Sequence, residues 1–180
     1  MTARALLKKY FSENDAAFEI VYQHSRKVAD KALAIARTAG LEKDLVFIEE
    51  AALLHDIGVC RVHAPKLNCF GSSPYICHGI IGREILEREG LPEHALVCER
   101  HIGVGLTAAD VTGQKLPLPA REMSPATVSE RIIAMADLFF SKKHGELDRE
   151  KSVDQVRGEL LKFGPHKVAI FDSWLNDFAC

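Results

Sequence analysis

Six side chains in this 180-residue sequence have the types and spacing to do chemistry together: His24, the adjacent pair His55-Asp56, His78, His101 and Asp137. Each falls on or at the end of a stretch with helical apolar periodicity, within or beside its apolar face. Val21, His24 and Val28 share one stripe, as do Val97 and His101, and Ile133 and Asp137. A single polar residue on such a face is usually a hydrogen-bonded core residue. Here that explanation would have to hold on five helices at once. Asp is almost never buried without a strong partner. Four imidazoles and two carboxylates gathered in one core need a positive centre, and one or two divalent cations supply it. Imidazole suits Zn, Fe, Mn, Co and Ni, and a carboxylate can bridge two of them. A bundle core fed by facing helices is a common place to build such a site.

The elements that must position these residues are helices. A short one covers 2–10. Ser12 to Asp15 supplies capping chemistry for a longer one over about 15–39, ended by Gly40. Its inner face is Val21, His24 or Ser25, Val28, Ala32 and Ile35. A third spans about 43–56, with Ile48, Ala51, Ala52 and His55 inward and Gly58 behind it. Pro65, Asn68, Gly71 and Ser72-Ser73 make 59–73 a loop. Pro74, after Ser73, is expected at the first position of a fourth helix that ends at Gly90. A fifth covers about 93–101, and Gly103 to Met123 reads as an irregular loop of the active-site type. Ser124-Pro125 and Thr127-x-x-Glu130 start a helix that reaches about Lys143 and stops at His144-Gly145. Two last helices, about 148–163 and 165–178, carry Val153, Val156 and Leu160, then Val168, Phe171, Leu175 and Phe178, all read as packing residues.

The length fits one domain, expected over 1–180 with a metal-binding core at about 18–143 and the last two helices packed on it. Hydrophobic residues make up 47%, enough for a sizeable core. The 23 basic and 25 acidic side chains leave a net charge of −2, which gives no electrostatic ground for binding a nucleic-acid polymer. A small basic cluster for an anionic small molecule stays open. No apolar run approaches the roughly 20 residues of a membrane helix. Met1 to Phe11, with Arg4, Lys8 and Lys9, has no secretory h-region. The five cysteines, Cys60, Cys69, Cys77, Cys98 and Cys180, are irregularly spaced and are read as free thiols of a cytoplasmic protein. A zinc knuckle from Cys60, Cys69, Cys77 and His78 has the wrong spacing. Phosphate-binding glycine loops, H-E-x-x-H and G-x-S-x-G are absent.

The order H…HD…H…H…D, with Ala-Leu-Leu-His-Asp-Ile-Gly at 52–58 and Met-Ala-Asp at 135–137, resembles the HD superfamily of metal-dependent phosphohydrolases in its H-D-I-G form. The resemblance covers about 18–143 and implies an all-α bundle of the HD-domain type. It implies His24, His55, Asp56 and Asp137 as ligands of a first metal, and His78 and His101 as ligands of a second, with Asp56 bridging. That is the two-metal branch, which includes cyclic-dinucleotide phosphodiesterases and diadenosine tetraphosphate hydrolases. Two departures stand out. Many relatives carry Lys three residues after the signature Asp, where this chain has Val59, and the G-Y-P signature is absent.

The reaction so implied is hydrolysis of a phosphoester or phosphoanhydride, through hydroxide activated by one or two divalent ions about 4 Å apart. Fe or Mn is the first expectation, with Zn, Co, Ni and Mg compatible. His55 and Asp56 would be catalytic through the metal, and His63 is the candidate leaving-group acid or a plain loop histidine. Arg61, Lys66 and Arg121 are candidate phosphate partners. His94, His144 and His166 are expected at the surface. The expected partner is a phosphorylated, nucleotide-like small molecule, with no nucleic-acid polymer and no membrane, and a homodimer is compatible with the sequence. The rival reading is a catalytically weak metal-binding module with a signalling or ligand-binding role. Loss of a ligand would mark that class, and none is missing.

Overall fold

The computed structural model describes residues 1–12, 14–143 and 145–178. Short polar side chains set most of the helix starts. Thr2 accepts the Ala5 N–H ahead of α1 (Ala3–Tyr10), and Asn14 accepts the Ala17 N–H ahead of α2 (Asp15–Thr38). Gly40, at φ 72°, ends α2 in the left-handed conformation that glycine adopts without strain. A 3-10 turn, Glu42–Asp44, leads into α3 (Leu45–Leu54). After α4 (His78–Arg88) and α5 (Pro92–Arg100) come a short α6 (Ala108–Gly113), α7 (Val128–Leu138), α8 (Val153–Leu161) and α9 (Pro165–Asp177). Helix α2 packs on α3 and α7, α4 packs on α5, and α9 packs on α7 and α8. One buried apolar cluster runs from Ala3 to Phe178 and takes in Val156, Leu160, Phe171, Leu175 and Phe178 of the last two helices.

The differences from the expected elements have local causes. The 59–73 loop holds a two-residue hairpin, β1 (His63–Ala64) against β2 (Cys69–Phe70), in which His63 pairs with Phe70. Asn68, at φ 56°, closes the 3-10 turn Pro65–Leu67 between them, and Asn tolerates that left-handed geometry. Pro74 is extended rather than helical (ψ 147°), and a 3-10 turn, Tyr75–Cys77, separates it from α4. Within 103–123, Thr107 and Asp110 form a capping box that starts α6, a signal the sequence reading passed over. Thr127 caps α7 as expected, but the Glu130 carboxylate takes the Ala126 N–H at 2.7 Å and pairs with Arg100. Helix α7 stops at Leu138, well short of Lys143, and 139–143 runs as coil. His94 is not a surface residue: it packs edge-on against Phe47 at 4.9 Å. His166 is exposed, and His144 and Cys180 lie outside the described residues.

The glycine of the H-D-I-G turn has a packing reason. A Cβ on Gly58 would fall deep inside contact distance of the His78 carbonyl and 2.5 Å from Gly82 N. Gly79, one turn earlier on α4, would meet the Cys98 carbonyl of α5 at 2.8 Å. These bare backbones let the 57–61 turn, α4 and α5 stack closely, which brings His78 and His101 up to Asp56. Gly58→Ala is therefore expected to cost about 3 kcal/mol or more, because the obstructing atoms are backbone and cannot rotate away. In a chain of this size that lowers the Tm by roughly 6–12 °C. A circular-dichroism melt checks it, and an unchanged Tm removes the packing argument.

Candidate metal centre

Three of the histidines sit at helix ends, and each is oriented by the carbonyl three residues before it. His55, at the C-cap of α3, donates Nδ1–H to Ala52 O at 2.6 Å. His78, first residue of α4, donates to Tyr75 O at 2.7 Å, across the 3-10 turn that displaced Pro74. His101, at the C-cap of α5, donates to Cys98 O at 2.8 Å. A carbonyl only accepts, so in each ring Nδ1 carries a proton and Nε2 is turned to the site, where it offers a lone pair when the ring is neutral. His24 lies mid-way along α2, with Nε2 2.9 Å from Asp137 Oδ1 of α7. All four rings and Asp56 are buried.

The two Asp56 oxygens divide these rings between them. Oδ2 lies 3.4 Å from His24 Nε2 and 3.1 Å from His55 Nε2. Oδ1 lies 3.5 Å from His78 Nε2 and 3.7 Å from His101 Nε2. Asp137 Oδ1, 3.5 Å from His55 Nε2, closes the first group. Among the described residues, two sets of ligand atoms lie within 4.8 Å of one another: His24, His55 and Asp137, and His55, Asp56 and His101. These two sets share His55, and the distances from Asp56 bring His78 in as well, so the six positions singled out in the sequence gather around one carboxylate.

Several observations fit this cluster to cations. His24 Nδ1, His55 Nε2 and both Asp56 oxygens are buried without a hydrogen bond, an expensive state for polar atoms. His78 Nε2 and His101 Nε2 face each other at 3.1 Å while both rings donate through Nδ1, so two lone pairs oppose across a gap that wants a positive charge. The protonation balance shows the same need. Burial, reinforced by Lys142, pushes His24 down to about 4, and burial with neighbouring His55 and His78 pushes His101 down to about 3. Burial alone would lower His55 as well, but Asp56 and Asp137 outweigh it and raise that ring to about 10. A proton on His55 and an ammonium beside Asp56 do for the metal-free protein what divalent ions do when bound.

That ammonium belongs to Lys142, which the sequence reading did not single out. Its Nζ lies 2.7 Å from Asp56 Oδ2. Burial opposes the charge, but Asp56, Tyr75 and Asp137 outweigh it and hold the amine above the ordinary lysine range. Lys142 also lines a cavity of about 900 Å³ with His63, Ala64, Pro65, Lys66, Leu67, Tyr75, Ser141 and Lys143. The Tyr75 ring packs on His78, with centroids 4.7 Å apart, so the cavity abuts the cluster through Tyr75 and Lys142.

Of the other candidates, His63 and Lys66 are exposed and line this cavity. Arg61 and Arg121 do not. Arg61 is exposed, lines a different depression beside Cys60, Gly71 and Glu84, and lies 6.0 Å above the Tyr10 ring. The Arg121 guanidinium is bound to the buried carboxylate of Glu99, which also binds Arg83, so its charge is spent on holding the 103–123 loop to α5. Val59 is fully buried and uncharged, which leaves Lys142 as the amine beside the signature Asp. Cys60, Cys69, Cys77 and Cys98 are free thiols, with Cys98 Sγ donating to Leu54 O at 3.3 Å.

An all-α bundle whose helices bring four imidazoles and two carboxylates together in this way could hold divalent ions. The chain belongs to the HD domain family, whose profile matches residues 21–140. It is 36% identical over 151 residues to an uncharacterized protein of Methanocaldococcus jannaschii, covering 81% of this chain and 78% of that one. It is 31% identical over 172 residues to a tRNA (cytidine(56)-2'-O)-methyltransferase of Thermoplasma volcanium, covering 95% of this chain but 45% of the enzyme. It is 33% identical to the enzyme of the same name from Picrophilus torridus, again spanning less than half of it (40%). The fold is similar to the crystal structure of the HD domain of the L. monocytogenes phosphodiesterase PgpH, with a TM-score of 0.57, 18% identity, 97% of this chain covered and 95% of that one. Among the described residues no helix is long and apolar enough to cross a membrane.

Proposed function

We propose that this protein is a metal-dependent phosphohydrolase that cleaves a phosphoester or phosphoanhydride bond in a small, nucleotide-like molecule. The observation that carries the reading is Asp56: a fully buried carboxylate with each oxygen turned to its own pair of imidazoles, and with the Lys142 ammonium against one of them. His24, His55, Asp56 and Asp137 would hold one divalent ion, and His78 and His101 a second with Asp56 shared. Fe or Mn suits this mixed imidazole and carboxylate set. Such ions supply Lewis acidity, acidifying water and drawing charge from a phosphoryl oxygen. The chain's own residues do the rest. The Ala52, Tyr75 and Cys98 carbonyls hold three rings in one tautomer. The walls of the cavity, within the size range of small-molecule sites, hold the substrate, and Lys66 and Lys143 meet its charge. His63, exposed and part of the same cavity lining, would protonate the leaving oxygen as the P–O bond breaks.

The two methyltransferases are each more than twice as long as their matched part, and no methyl transfer is proposed for this chain. The experiment is a phosphoester and phosphoanhydride panel run on anaerobically purified protein with Mn²⁺ or Fe²⁺, alongside metal analysis. Hydrolysis that EDTA abolishes and added metal restores is the expected result. Metal binding without turnover across the panel would favour the module reading instead.

A further inference from the structure

We propose that Lys142 is both the built-in competitor of the metal for Asp56 and the phosphate-binding residue of the loaded site. This rests on the phosphohydrolase reading above. Among the described residues, five groups form ion pairs with Asp56: four imidazoles and the Lys142 ammonium. Imidazoles can be neutral and become ligands, whereas an ammonium has no lone pair and can only oppose a cation. Its Nζ sits 2.7 Å from the oxygen that also faces His24 and His55. A divalent ion between those groups would take over the neutralisation of Asp56 and repel the amine at short range in a poorly screened site.

The amine has somewhere to go. Lys142 lies on the coil after α7, not on a packed helix, and its side chain is 13% exposed. It already lines the cavity, where Lys66 and Lys143 are further cations and, among the described residues, no carboxylate is part of the lining. A freed ammonium there needs an anion, and a substrate phosphate provides one, in a charge-assisted bond beside Tyr75 and Ser141. Lys142 would thus exchange one anion for another: Asp56 in the metal-free protein, phosphate in the loaded one. Three lysines around one cavity also favour substrates with more than one anionic group, such as a di- or polyphosphate.

The test separates this role from a structural one by sign. Calorimetric titration of metal-free protein with Mn²⁺ should show at least about tenfold tighter binding by Lys142→Met than by wild type, because a competing cation is gone. A lysine that merely propped Asp56 in place would give weaker binding when removed. Inorganic phosphate titrated into the Mn²⁺-loaded proteins should bind Lys142→Met at least about tenfold more weakly. Lys142→Arg keeps the charge and should bring both affinities back to within about threefold of wild type. Unchanged or weaker Mn²⁺ binding by Lys142→Met overturns the competitor role, unchanged phosphate binding overturns the phosphate role, and no rescue by Lys142→Arg overturns the charge argument. Wild type that binds no Mn²⁺ at all overturns the phosphohydrolase reading itself.

Discussion

Asp56→Ala is expected to stay folded and to lose at least about 100-fold of the hydrolytic rate, the scale at which a site loses the ions that activate its water. Asp137 is the other carboxylate of the cluster, and its Oδ1 faces His24 and His55. Removing Asp56 therefore strips the acid that, among the described residues, pairs with His78 and His101, and one of the two carboxylates that face the other two rings. Removing one partner of a buried ion pair ordinarily costs about 3–5 kcal/mol, because the other is stranded. Here the partners are Lys142, which borders an open cavity and can turn its amine to water, and His55, which keeps Asp137 Oδ1 at 3.5 Å. The melt of the metal-free variant should accordingly move by only a few degrees, while wild type alone gains stability from added Mn²⁺. Asp56→Asn preserves the shape and serves as the folded control. Activity is measured on the phosphoester panel with and without EDTA, and metal content by mass spectrometry. Full activity in either variant, or activity indifferent to EDTA, refutes the mechanism whatever the fold.

The cluster was legible in the sequence because its residues obey two simple rules. Helical periodicity placed His24, Asp137 and the ends of α3 and α5 on inward faces, and a buried Asp needs a positive partner. What a one-dimensional reading lacked was any signal for groups that reach the site from irregular backbone. Lys142 follows an apolar run that looks like one more turn of α7, so its charge reads as helix-end decoration; only the early stop at Leu138 turns it inward. Tyr75 depends on a 3-10 turn where Ser73-Pro74 reads in sequence as a regular helix start. Arg121 failed for the opposite reason. An arginine in a loop is a fair phosphate partner until a buried carboxylate, Glu99 on α5, claims it, and nothing local in the sequence links positions 99 and 121. The capping box at Thr107 and Asp110 was readable but lay among glycines and prolines that outweighed it. Asp110 is further engaged by Lys167 at 2.7 Å, a contact 57 residues away along the chain.

The second half of the cluster makes the other large prediction. Replacing both His78 and His101 with Ala should roughly halve the bound metal, from two ions per chain to one, and lower the hydrolytic rate by at least about 100-fold, since paired ions clamp both the attacking and the leaving oxygen. The geometry explains why the loss should be confined. His24, His55 and Asp137 contact one another through Asp137 Oδ1, at 2.9 and 3.5 Å, without involving either replaced ring. Asp56 Oδ2 also stays within 3.4 Å of both remaining rings, so the first set of donors survives intact. The replaced rings, by contrast, make their polar contacts to each other, to Asp56 Oδ1 and to their own i−3 carbonyls, and they meet Tyr75 and His55 through ring faces and edges alone. Deleting both removes the opposed lone pairs together, whereas deleting one strands the other, so the double variant is the cleaner test. Metal analysis of protein reconstituted with Mn²⁺ and desalted reads the stoichiometry, and a melt confirms folding. If the count stays at the wild-type value, His78 and His101 are hydrogen-bonded core residues, and Asp56 bridges nothing.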